Sequence, residues 1–231
     1  MSARTKKCSL LEAVVVHAIL IAAVVYALYP VLWVVSLALS PTGGTEPRVL
    51  PLPRGAHDVT LDNFRLVTGA GDPERSWLFA RQVMNSLVVS FATAATAVAI
   101  ATPAAYALAR FEFVGKRSGL RGMLLTQMFP GVASAVPLYL ILDALRLLDT
   151  RTGLVLVYAA TAVPFAVFQL RGAFLAIPVD LEEAAMVDGA TRTQAFLKVA
   201  LPAARPAIAV TALFAFMSAW NEFILAATLL G

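Results

Sequence analysis

The sequence predicts an all-α polytopic membrane protein, and three observations carry that expectation. Of its 231 residues, 60% are apolar and 14% are charged, and its mean hydropathy is +0.80. Soluble domains hold roughly 45–50% apolar and about 25% charged residues. Asp, Glu, Lys and Arg are absent from five long windows. Those windows are continuous and do not alternate, which favours spanning helices over a β-barrel.

The windows are residues 13–39, 82–109, 122–142, 152–170 and 206–221, the last resuming after Glu222 and running to Gly231. A spanning helix needs roughly 20 apolar residues, and a charge at its centre costs about 2.5–3.5 kcal/mol. Five spans follow. Arg4, Lys6 and Lys7 precede the first window as they would precede a signal peptide. The apolar run is longer than the roughly 7–15 residues of such a leader, so an uncleaved first span is expected.

Between the first and second spans lies a loop over residues 40–81. It opens with Pro41, Gly43 and Gly44 and continues through Pro47, Pro51, Pro53 and Gly55, which are turn and breaker residues. Residues 60–67 then read as a short surface helix. The loop is either a tether or a partner contact. The expected organisation is a first segment and span over residues 1–39, an extracytoplasmic loop over 40–81, and a core over 82–231. Within the spans lie Pro30, Pro103, Pro130, Pro137 and Pro164, each of which removes a backbone donor. Gln127, Ser134, Thr161, Gln169 and Asn221 lie in or near the same stretches. Singly, such groups are interhelical glue; together with the proline breaks they favour a pathway over a plain anchor.

Charge sets the orientation. With the N-terminus in the cytoplasm, eleven of the basic residues fall inside and seven outside, as the positive-inside rule requires. This places residues 171–205 in the cytoplasm. The same distribution accounts for a pI of about 9.5 without nucleic acid, because no basic stripe exists. The lone Cys8 excludes an internal disulfide, and neither His17 nor His57 has metal-ligand spacing around it. A membrane enzyme is disfavoured by the lack of a paired nucleophile and base or of clustered carboxylates.

One stretch departs from the apolar pattern. Residues 182–202 read EEAAMVDGATRTQAFLKVALP. Pro178 suits a first helical turn, and Asp180 followed by Glu183 has capping-box spacing. Leu181, Ala184 and Ala185 share a helical face. Asp188-Gly189 is a natural stop, because glycine takes a left-handed φ readily. Thr191 followed by Gln194 is a second capping box. The second helix carries Ala195, Phe196 and Val199 on one side and is expected to end near Leu201, ahead of Pro202. The result is a hairpin with arms of about 12 Å. Physics alone leaves two uses open, a knob that receives a cytoplasmic partner or an amphipathic hairpin lying on its own spans.

Glu183-Ala184-Ala185, then Gly189, Val199 and Leu201-Pro202 at fixed spacing resembles the EAA loop of ABC importer permeases, with valine at the branched aliphatic position. Weaker stretches resemble the sugar-importing, maltose/maltodextrin-type branch: residues 61–64 (LDNF), 85–87 (NSL), 105–110 (AYALAR), 115–116 (GK), 127–130 (QMFP) and 220–223 (WNEF). Their order along essentially the whole chain carries the likeness.

The resemblance implies a type I ABC importer transmembrane domain, with five spans of an expected six in this sequence. It implies a bacterial plasma-membrane subunit working with a second permease, a homodimeric ATPase and an extracytoplasmic solute-binding protein. The cargo would be a sugar: maltose, maltodextrin or a related oligosaccharide. ATP and Mg would be bound by the ATPase partners; this chain would hold no cofactor and no metal, and it has no Walker-type glycine loop. Glu183, Ala184, Ala185 and Gly189 would couple to the ATPase, Glu182 would add a polar contact, and Val199, Leu201 and Pro202 would close the hairpin. Gln127, Pro130 and Asn221 would line the translocation pathway, and Glu222 would face the binding protein or a neighbouring helix. The EAA pattern equally fits permeases for a polyol, glycerol phosphate or an amino acid. An ion-coupled secondary transporter is the rival outside the family, and it would need no docking hairpin.

Overall fold

In the computed structural model the described residues are 10–41, 59–69, 71–129 and 131–230. They form helices and connections, with no strand among them. The expectations attached to Arg4, Lys6, Lys7, Cys8, residues 43–55, His57, Pro130 and Gly231 fall outside the described residues. The chain divides into two compact units, Met1–Arg81 and Gln82–Gly231.

In the first unit, α1 (Leu10–Ala38) runs unbroken through Pro30. Its side chains are apolar on nearly every face, as suits a helix in apolar surroundings. Its terminal carbonyls would be orphans. They are met by Asn63, whose Nδ2 lies 3.2, 3.3 and 2.8 Å from the carbonyls of Leu37, Ala38 and Ser40. Asn63 belongs to α2 (Asp62–Thr68), the surface helix expected near residues 60–67. Gly69 closes α2 at φ +64°, and a Cβ there would stand 2.5 Å from the Cβ of Arg75. The carboxylate of Asp72 accepts from the amides of Glu74 and Arg75 and caps α3 (Pro73–Arg110).

The larger part of α3 lies in the second unit. Ala97, Ala101 and Ala105 are fully buried there, at helical spacing. Small residues on one stripe let neighbouring backbones approach closely, which is how membrane helices pack without a hydrophobic drive. The core around Ala101 and Ala105 holds Leu108, Ala166, Val167, Leu170, Phe174, Ala200 and Ala204. A second core joins Ala135, Leu142, Leu154, Val157, Tyr158, Leu225 and Leu229. It brings α5 (Ala135–Ala144), α6 (Arg151–Ala176) and α11 (Ile224–Leu229) together. α10 (Arg205–Trp220) packs along α6.

The expected third span, residues 122–142, is not one helix. α4 (Lys116–Met128) ends at Phe129, whose φ −79° and ψ +130° are extended. The residue before a proline is pushed out of the helical region, which accounts for the break. A 3₁₀ turn over Gly131–Ser134 then leads into α5, where Pro137 falls in the first turn and no donor is missed. Among the described residues, three helices are long and apolar enough to cross a membrane: Leu11–Ala38, Glu74–Arg110 and Arg151–Ala176. A fourth candidate is the pair Arg192–Ala203 and Arg205–Trp220, bent by 70°. The fifth expected window is likewise interrupted after Trp220 before α11 begins.

Candidate functional site

The polar interruption folds as a helical hairpin. α7 spans Asp180–Val187, but Asp180 is not its cap. Val179 precedes the helix with helical dihedrals, φ −63° and ψ −32°, and no side chain caps the end. The amides of Glu182 and Glu183 already bond to the carbonyl of Val179. Asp180 therefore lies inside the first turn, where its charge still opposes the positive helix end.

The turn follows the sequence closely. The amide of Ala190 bonds to the carbonyl of Ala185 at 3.0 Å, and that of Gly189 to Met186 at 3.1 Å. This is the Schellman pattern, which needs a left-handed residue at the crossing point. Gly189 supplies it at φ +92°. Thr191 and Gln194 then form a reciprocal capping box: the Thr191 hydroxyl accepts from the Gln194 amide, and the Gln194 carbonyl oxygen accepts from the Thr191 amide.

The second arm does not stop at Leu201. α8 (Arg192–Ala195) passes into a π-helical turn over Phe196–Ala200 and then α9 (Leu201–Ala203), and the chain bends only at Ala204. The π turn explains how Pro202 is accommodated. In an α register its ring would clash with the carbonyl four residues back. Widening the turn shifts the register, and the Leu201 amide bonds to Phe196 instead. Val199 and Leu201 are half-buried, as is Pro202.

The hairpin's two adjacent glutamates point to different places. Glu183 and Ala184 are exposed and Ala185 is half-buried. Glu182 is 4% exposed and its carboxylate is taken up within the chain. Arg110 donates from Nε to Oε1 at 2.7 Å, and the Tyr106 hydroxyl donates to Oε2 at 2.6 Å. Arg110 also donates to the carbonyl of Ile177 at 2.9 Å. Nearby, Arg171 donates to the carbonyl of Leu108 at 3.3 Å. The ends of α3 and α6 and the start of α7 thus share one polar node. Around it, the Tyr106 ring lies 4.4 Å from Phe196, 5.6 Å from Phe174 and 6.1 Å from Phe111, and Arg192 stacks over Phe111 at 5.3 Å. Lys116 closes the adjoining loop by bonding to the Phe111 carbonyl and to Glu112, and its ammonium holds the exposed Glu112 carboxyl below the usual carboxylate range. Sequence reading singled out residues 105–110 only as a likeness. The usable signal was a tyrosine and an arginine four residues apart, hence on one helix face, at a span end.

The pathway candidates separate. Asn221 is exposed and bonds back to the Met217 carbonyl at 2.9 Å. With Phe214, Ser218, Glu222 and Phe223 it borders a surface concavity of about 680 Å³. Glu222 is not an unpaired charge: it accepts from the Tyr158 hydroxyl at 2.9 Å and from the amides of Leu225 and Ala226. Gln127 is exposed on the last turn of α4 and does not border that concavity. Among the described residues no group of His, Cys, Asp and Glu has metal-site geometry.

Residues 97–231 match the family described as binding-protein-dependent transport system inner membrane component. The trehalose transport system permease protein SugB of Mycobacterium tuberculosis is 42% identical over 88% of this chain and 71% of its own length. The diacetylchitobiose uptake system permease protein DasC of Streptomyces coelicolor is 36% identical over 84% of this chain and 67% of its own. The maltose/maltodextrin transport system permease protein MalG of Photorhabdus laumondii is 33% identical over 93% and 75%. A bacterial ABC transporter involved in the import of the acidic polysaccharide alginate includes a chain that superposes with a TM-score of 0.76 and 29% identity, covering 98% of this chain and 78% of that one. The chain belongs to the family of binding-protein-dependent transport system inner membrane components: it is a multi-pass permease subunit of an ABC importer, a transport component without catalysis of its own.

Proposed function

We propose that this chain is one of the permeases of an ATP-driven sugar importer and that its hairpin docks an ATPase subunit in the cytoplasm. The relatives named for trehalose, diacetylchitobiose and maltose/maltodextrin support a cargo of two or more sugar units. Within that class, maltose or maltodextrin remains the specific proposal. The partners are a second permease, an ATPase pair that binds ATP and Mg, and a solute-binding protein. The proposed orientation puts the N-terminus and residues 171–205 in the cytoplasm and residues 40–81 outside, with the pathway core over residues 82–231.

One observation carries the docking role. Glu183 and Ala184 stand exposed on a helix pinned at its turn by a Schellman motif and a capping box, while Glu182 is occupied within the chain. A stiff, capped knob with a small-residue edge is suited to insertion into a cleft and to transmitting displacement. Glu183, Ala184, Ala185 and Gly189 are the proposed coupling residues. Val199, Leu201 and Pro202 shape the second arm and the bend into α10. Gln127, Pro130 and Asn221 remain the proposed pathway residues.

The test is a photo-activatable cross-linker at position 184 in the assembled importer. The expected product joins this chain to the nucleotide-hydrolysing subunit. No such product, or labelling of position 184 from the exterior side of intact cells, overturns the docking role. Mass spectrometry of the small molecule held by the co-purified binding protein identifies the cargo, and a non-carbohydrate there overturns the sugar assignment.

A further inference from the structure

The hairpin is covalently joined to two elements only. α7 follows α6 through residues 177–179, and the second arm runs into α10 through the bend at Ala204. α3 has no chain connection to it. Nevertheless, the most buried charged contact among the described ion pairs links α7 to α3. The side chains of Arg110 and Glu182 are 7% and 5% exposed and meet at 2.7 Å, whereas the pairs Arg65–Asp62 and Arg75–Asp72 are 3.5 Å or longer and largely exposed. The pair is also satisfied beyond itself: both Glu182 oxygens have donors, and a second Arg110 nitrogen meets the Ile177 carbonyl.

Breaking a buried, hydrogen-bonded pair leaves an uncompensated charge, so such a pair resists separation far more than a surface bridge does. The ring contacts of Tyr106 with Phe196 and Phe174 add packing at the same point. The first arm, the end of α6 and the end of α3 are thereby held as one block.

We propose that the Arg110–Glu182–Tyr106 node is a positioning latch that delivers displacement of the hairpin to α3. Without it the hairpin would reach α3 only through the apolar packing of its second arm, and would otherwise act on α6 and α10 through the chain. Glu182 is then a positioning residue that acts through Arg110, not a contact for the ATPase. This inference rests on the docking role proposed above.

The experiment uses the assembled importer with Cys8 replaced by serine. A single spin label is placed at Ile100→Cys on α3 or at Leu213→Cys on α10, both positions being exposed. Label mobility is compared in the nucleotide-free and vanadate-trapped Mg·ATP states. With the node intact, both positions respond. In Arg110→Ala and in Glu182→Gln, the α3 response falls by about fivefold or more, the range of a typical coupling energy, while the α10 response is kept. The double variant is no worse than either single one, because both remove the same contact. Arg110→Lys restores part of the α3 response by returning the charge.

Three results overturn the latch. The α3 response is unchanged in the variants, both responses fall equally, or the two single losses multiply in the double variant. Tyr106→Phe keeps the ring and removes only the hydroxyl, so it carries the same test if the charge variants do not assemble. Its expected result is a smaller, α3-confined loss, and an unchanged α3 response sinks the proposal. The position-184 cross-link separates the two readings. If it forms while the node variants behave as wild type, docking stands and the latch fails. If it does not form in the wild type, docking itself has failed.

Discussion

Gly189 gives the sharpest quantitative test of the hairpin. Its φ of +92° lies where residues with a Cβ are strained, yet a Cβ built there meets nothing within 4 Å. Within the chain, the cost of substitution is therefore backbone strain alone. Left-handed backbone costs an L-residue about 1–2 kcal/mol. Gly189→Ala should weaken the turn by that amount, which is a roughly tenfold rise in its opening at 1.4 kcal/mol per decade. Asparagine tolerates this region best among non-glycine residues, so Gly189→Asn should be the mildest change. Gly189→Asp adds a negative charge just past the C-terminal end of α7, where the helix dipole disfavours it by about 0.3–1 kcal/mol more. A β-branched Gly189→Val should be worst.

The assay is amide hydrogen exchange of Gly189 or its replacement and of Ala190, whose amides make the two Schellman bonds. It is read in the purified chain and again in the assembled importer. The expected order of increasing exchange in the purified chain is Asn, then Ala and Asp, then Val. Equal exchange for Asn and Val would refute the strain argument, because strain at this φ must separate a residue that tolerates the left-handed region from a β-branched one. The comparison with the importer adds a second reading. If a partner surface fills the open space, Ala and Val lose more function in the complex than their turn opening accounts for. Gly189→Asp is then expected to block uptake while the chain still inserts in the membrane. Normal uptake by that variant would remove Gly189 from the coupling machinery.

Two further predictions concern stability. Phe174 is fully buried, with its ring 5.6 Å from Tyr106 and 6.3 Å from Phe196. Phe174→Ala should cost about 3–5 kcal/mol, seen as a lowered midpoint of unfolding in detergent, with Phe174→Leu recovering part of the loss. Thr191→Ala removes the hydroxyl that accepts the Gln194 amide at 3.3 Å and should cost about 1 kcal/mol, with Thr191→Ser near neutral. Faster exchange confined to the Gln194 amide and its neighbours is the expected signature, and unchanged exchange there would refute the cap.

The features that were legible in the sequence are those decided within about four residues. The Thr191–Gln194 box and the Gly189 stop depend on local spacing and chain conformation, and both are realised. The failure at Asp180 is instructive because the spacing was equally good. There the chain leaves α6 and is helical again by Val179, so the backbone meets the first amides before a side chain is needed. The end of the second arm failed for a related reason. The rule that proline ends a helix assumes an α register, and a π turn escapes it by shifting the bonding pattern. The division of residues 122–142 was foreshadowed by its prolines, but hydropathy averaged over the window conceals a break. The Arg110–Glu182 contact joins residues 72 apart, and no periodicity announces such a pair.

Two carboxylates at breaks of the second unit, Glu182 and Glu222, show how differently one chemical problem can be solved. Glu182 stands just after the break that follows α6, and Glu222 stands in the break that follows α10. Each accepts from the hydroxyl of a tyrosine on a long helix, Tyr106 or Tyr158. Their remaining donors differ. Glu222 takes the amides of Leu225 and Ala226, so it is a local cap that secures α11 to its own entry. Glu182 takes the guanidinium of Arg110 from another helix. A local cap holds its own segment together whatever its neighbours do, and it transmits little. A charge pair between helices survives motion only if both helices move together, because separation strands a buried charge. The same residue type thus stiffens one break and yokes the other, and only the yoked break lies in the element proposed to meet the ATPase.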